Sequence, residues 1–116
     1  MTKLARYLFG KYNALNIATR TLDEQRWYML KDICRNVGIA NPTQVLKCKR
    51  AGVLPNEYRK ESHYIGGNGK KHIVLINEAA MLKVIMYAKS PQALVIQDRV
   101  KNCPDYLRPA SWVGLL

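Results

Sequence analysis

The chain has 116 residues, 48% of them apolar, which suffices for one modest core without staples and excludes a disordered or low-complexity polymer. Nineteen Lys and Arg against eight Asp and Glu give a net charge of +11. Such a surplus attracts polyanions over long range without choosing among DNA, RNA and an acidic protein.

Cys34, Cys48 and Cys103 are too few and too scattered for a zinc site, and an odd number argues against a disulfide framework. Reduced thiols and a cytoplasmic location inside a host cell are expected. Arg6 interrupts the apolar residues of the first ten and Lys11 follows at once, so no signal-peptide core is read there, and no apolar run approaches the ~20 residues that cross a bilayer. No membrane partner is expected.

In chain order, residues 16–22 alternate between two faces, Asp23-Glu24 supplies a polar turn, and Arg26-Trp27-Tyr28-Met29 suits a strand, which together predict a β-hairpin. From Leu30 the period becomes helical through Ile33, Cys34 and Val37, with Gly38 placed to end the helix. Asn41 and Pro42 form a cap-and-proline start for a short helix through Cys48, with Gly52 as its terminator. Residues 57–65 and 71–76 predict a second hairpin about Gly66-Gly67-Asn68-Gly69. The apolar run His72-Ile73-Val74-Leu75-Ile76 predicts a strand central in the sheet or buried on both faces. Asn77 caps a helix carrying Met81, Leu82, Val84, Ile85 and Met86. Ser90-Pro91 starts another, with Ala93, Leu94, Ile96, Gln97 and Val100, which Pro104 ends. The last residues have no regular pattern, yet Tyr106, Leu107, Trp112, Val113, Leu115 and Leu116 give them apolar surface to dock on the core or on another chain.

The expected architecture is α+β: a small antiparallel sheet of hairpins packed with about four short helices, including a helix-turn-helix-like pair. One domain is expected over residues 1–116, with its core from about 15 to 108 and a docking or interface tail over 109–116.

Certain residues occur in a suggestive order: Lys31-Asp32-Ile33-Cys34, Gly38-Ile39-Ala40-Asn41-Pro42, the Gly66-Gly67 turn with Val74-Leu75-Ile76-Asn77-Glu78, and Ala88-Lys89-Ser90-Pro91-Gln92-Ala93. In this order and spacing, residues from about Leu15 to Arg108 resemble the BRO amino-terminal domain of phage antirepressors and baculovirus repeated-ORF proteins. The resemblance implies an α+β module associated with DNA binding, often followed by a variable carboxy-terminal domain, which is not expected within these residues. The chain departs from the family pattern late, where Arg99-Val100 and Asn102-Cys103-Pro104 replace a Trp-Val and a Val-Leu-Pro.

The helices on either side of Gly38-Ile39-Ala40-Asn41 have helix-turn-helix lengths, in which the second helix meets base edges. Thr43, Gln44 and Lys47 are then candidate readers, since Thr suits the thymine methyl, Gln adenine and Lys guanine. The competing reading, equally open, is that Asn41 and Thr43 only organise a helix start. Lys47, Lys49, Arg50, Arg59, Lys60, Lys70 and Lys71 concentrate positive charge about the second hairpin, where Lys70 and Lys71 either approach a nucleic-acid backbone or form a solvated tip.

No catalytic set emerges. His63 and His72, on opposite arms of the hairpin, can face one another but have no carboxylate or cysteine at metal-ligand spacing, and they are read as surface or DNA-facing residues. Asp32 and Glu78 suit helix starts, Ser90 suits a cap, and the glycine-rich turn leads into a strand rather than the helix a phosphate loop needs. No cofactor and no catalysis are expected. Two functions remain: a phage-type regulator holding double-stranded DNA, acting as antirepressor or transcription regulator, with a homodimer adding area; or an inhibitor that sequesters a repressor or host regulatory protein without touching DNA. Trp27, Trp112 and Tyr106 suit interface cores and favour the second.

Overall fold

Alternation and turn chemistry build the sheet. The computed structural model describes residues 2–64 and 70–115, and of residues 63, 64, 70 and 71 the backbone alone. Strands β1 (Thr19–Leu22) and β2 (Gln25–Met29) meet at Asp23-Glu24, whose φ angles of 52° and 63° make the two-residue turn that matches strand twist. Strands β3 (Tyr58–Tyr64) and β4 (Lys70–Ile76) form the second hairpin; its Gly66–Gly69 turn lies outside the described residues. All pairings are antiparallel, in the order β1-β2-β4-β3.

β4 is central, as its apolar run predicts, but β2 reaches it only at Ile76 and Leu75. Toward Lys70 its partner is β3. Burial follows that limit. Leu75 and Ile76 are buried, Ile73 and Val74 are partly covered, and His72 is exposed, so the expectation of a strand buried along both faces holds only for its last two residues.

The helices are α1 (Lys3–Phe9), α2 (Lys11–Leu15), α3 (Leu30–Asn36), α4 (Pro42–Lys47), α5 (Glu78–Tyr87) and α6 (Pro91–Lys101). They enclose one apolar cluster with Tyr28 and Ile76 of the sheet, in which Ile33, Val37, Met81, Ile85, Ala93 and Val100 are fully covered. Two starts carry the side-chain caps the sequence predicts. Asn77 Oδ1 accepts from the Ala80 N–H at 2.9 Å, and Ser90 Oγ from the Ala93 N–H at 3.1 Å.

The cluster reaches further than residues 15–108. Leu4, Leu8 and Phe9 of α1 are buried in it, and Thr2 caps that helix by accepting from the Ala5 N–H at 2.9 Å. Arg99 donates to the Leu8 carbonyl at 2.9 Å, which ties α1 to α6. In the tail a single 3₁₀ turn over Ala110–Trp112 buries Trp112, whose indole N–H donates to the Glu78 carbonyl at 2.8 Å. Trp112 thus docks on the core, while Val113 and Leu115 stay exposed.

A basic groove as the candidate nucleic-acid interface

The alternation of β3 and β4 decides which hairpin residues share a face. Cross-strand pairs Tyr58↔Ile76, Lys60↔Val74 and Ser62↔His72 lie on the helix side, because Ile76 belongs to the core; Arg59↔Leu75 and Glu61↔Ile73 lie on the other. Beyond β2 the helix side of the hairpin is open, and α3 and α4 stand across from it. Between them lies a groove of ≈ 970 Å³. Leu30, Lys31 and Arg35 of α3, Ile39 and Ala40 of the connection, Pro42, Thr43, Leu46 and Lys47 of α4, and Tyr58, Lys60, His72 and Val74 of the sheet line it.

Among the described residues its cations come from three elements, α3, α4 and β3, and no Asp or Glu is among those that line it. Lys31, Lys47 and Lys60 are exposed, while Arg35 is held by Asp32 at 3.3 Å and by the Asn16 carbonyl at 3.1 Å. Asp32 is itself buried and accepts from the Ala18 N–H at 2.9 Å, which explains it as a structural carboxylate.

The structure divides the candidates named from sequence. Thr43, Lys47 and Lys60 line the groove, and Gln44 is exposed on the same short helix without lining it. Asn41 precedes α4 but makes no capping bond through its side chain, and α4 ends at Lys47, ahead of Gly52. Lys49 is exposed in the turn after α4, and Arg50 lines a smaller cavity with Leu82, Met86 and Tyr87. Arg59 belongs to the far face of the sheet. It pairs with Glu61 at 2.8 Å and Asp23 at 3.8 Å and lies 5.5 Å from the centre of the Trp27 ring, so its charge is largely taken up. Lys70 and Lys71 are known by strand pairing alone, opposite Tyr64 and His63.

Lys31 and Arg35 join the site without being candidates from sequence, and His72, expected at the surface or facing DNA, also lines it. The signal for Lys31 and Arg35 is present as their i, i+4 spacing on one helix face, but the opposing hairpin that makes that face part of a groove is remote in sequence. His72 and His63 do not pair: His72 stands opposite Ser62, 3.5 Å from its hydroxyl, and His63 opposite Lys71. Of the three aromatics read as interface residues, Trp112 and Trp27 are buried and Tyr106 is 84% exposed.

The thiols differ by surroundings. Burial pushes the Cys34 thiol up to about 12 and raises that of Cys103, whereas a hydrogen bond with the Tyr87 hydroxyl lowers that of Cys48. Among the described residues, no cluster of His, Cys, Asp and Glu is placed to hold a metal ion, and no helix is long and apolar enough to cross a membrane.

Comparison with known proteins agrees with the motif order. The BRO family N-terminal domain matches residues 16–103, a stretch that contains α3, α4, both hairpins and the groove. No curated protein and no solved structure matches the chain. The chain belongs to the BRO family through its N-terminal domain, a regulatory domain class that fits viral and phage antirepressor-type regulators.

Proposed function

We propose that this domain is the DNA-contacting module of a phage-type regulator and that double-stranded DNA lies along the rim of the basic groove. The observation that carries the reading is the convergence of Lys31, Lys47 and Lys60 from α3, α4 and β3 on one open face that has no carboxylate among its described lining residues. Phosphates are the polyanion such a rim suits, and their contacts set register without reading sequence. Thr43 and Gln44, exposed on α4 beside the rim, are the base readers in this reading, with Asn41, Lys49 and Arg50 flanking them. By strand register Lys70 falls on the same side as Lys60 and Lys71 on the other, so in this reading Lys70 continues the phosphate track along the hairpin.

Fluorescence anisotropy of labelled duplex DNA across a salt series tests this. Binding should weaken steeply with salt, and a Lys31→Ala, Lys60→Ala double variant should lower the log–log slope by roughly 1 for each phosphate that is no longer neutralised. Thr43→Ala with Gln44→Ala should flatten the preference among sequences and spare non-specific binding. Absence of duplex binding even at low salt sinks the reading.

A further inference from the structure

A duplex resting on the rim leaves the floor of the groove unused. Leu30, Ile39, Leu46, Tyr58 and Val74 line that floor, so its surface is aliphatic and aromatic, and phosphates and base edges bring little to match it. The volume of ≈ 970 Å³ stands at the upper end of the roughly 300–1,000 Å³ found for ligand clefts. Apolar surface bordered by one sign of charge selects an occupant with apolar side chains and the opposite charge.

We propose that the groove is a docking site for an acidic amphipathic segment of a partner protein, whose large apolar side chains enter the floor while its carboxylates meet Lys31, Lys47 and Lys60. Charge complementarity identifies this occupant. The three lysines stand on three elements, so they call for several carboxylates spaced around an apolar centre. A fatty acid supplies one carboxylate, and a nucleic acid supplies charge with apolar groups no larger than a thymine methyl or a sugar carbon. A helix or extended segment carrying Leu and Glu supplies both. The site takes this segment whether or not the rim also holds phosphate, and where both bind they compete.

The test is fluorescence polarisation with a labelled synthetic peptide of about twelve residues, Leu at i, i+3, i+4 and i+7 and Glu between them. The full chain should bind it with a dissociation constant on the order of 10 μM or below. Replacing each Leu of the peptide by Ala, or each Glu by Gln, should weaken binding at least about tenfold. On the protein, Ala40→Trp fills the groove from an exposed lining position, and it should weaken the peptide at least about tenfold while duplex affinity, measured in parallel, stays within about twofold. Circular dichroism melts of the variant control for folding. The proposal is overturned by no peptide binding up to about 1 mM, by binding that survives the Ala peptide, by indifference to Ala40→Trp in a folded variant, or by full displacement with dodecanoate at equal concentration. Peptide binding without duplex binding supports the docking site and removes the DNA reading; duplex binding without peptide binding does the reverse.

Discussion

α4 and α6 begin with the same sequence device, a capping residue followed by proline, and the two starts have opposite surroundings. At α6, Ser90 accepts from the Ala93 N–H and also donates to the Val37 carbonyl at 2.6 Å, while Gln92 donates to the carbonyls of Arg35 and Asn36. The beginning of α6 thereby closes the end of α3, whose last carbonyls have no partner inside their own helix. At α4, Asn41 makes no cap bond, and Asn41, Thr43 and Gln44 are exposed beside the groove. A motif of identical local meaning is a structural joint in one place and an open surface in the other. What differs is the neighbour brought against it.

The largest effect expected from disturbing this contrast is at Gly38. Its φ is +75°, and an added Cβ would lie 2.6 Å from Ser90 Oγ and 2.8 Å from Ser90 Cβ. Ser90 is held by two hydrogen bonds and has little room to yield. Gly38→Ala should cost about 2–4 kcal/mol in urea unfolding, from left-handed backbone strain plus overpacking. A loss below about 1 kcal/mol would mean that the α3–α6 joint is looser than its geometry.

Next in size, Ser90→Ala removes the cap and strands the Val37 carbonyl, for an expected loss of about 1–3 kcal/mol by the same measurement. Asn41→Ala should change stability by less than about 0.5 kcal/mol, since no cap bond is removed. Equal losses at the two positions would erase the distinction between the joint and the open start. The smallest structural perturbation is chemical: in the native state Cys48, at the end of α4, should be alkylated by iodoacetamide well before Cys34 and Cys103. Its thiol is lowered by the Tyr87 hydroxyl while burial raises the other two, so its thiolate fraction grows first as pH rises. Peptide mapping by mass spectrometry after a timed pulse checks the order; first labelling at Cys34 would place the opening on the α3 side instead.

Much of the sheet and of the helix set is legible in the sequence because it rests on local chemistry. Asp23-Glu24 as a turn, Asn77 and Ser90 as caps, and the shift from period two to helical period at Leu30 are properties of a few adjacent residues, and each recurs in the structure. The first helix is equally local: Leu4, Ala5, Leu8 and Phe9 form a helical face, a pattern hidden when those residues are weighed only as a leader segment. Site residues are harder. Arg59 and Lys60 are neighbours in sequence and sit on opposite faces of the sheet, because each strand residue changes side. A run of positive charge in a strand therefore counts twice what any one surface receives.

By itself the sequence determined the charge, the family through ordered short motifs, the two hairpins and most helix starts, since hydrophobic period and backbone chemistry act within about one turn or one strand. Tertiary structure alone decided that α3 and α4 face the helix side of β3 and β4, that Lys31 and Lys60 share a rim, and that Trp112 closes the core rather than presenting itself to a partner. Those outcomes depend on which surfaces are brought together across long separations in the chain. Burial and charge at a groove are properties of the assembled faces, and no residue carries them alone.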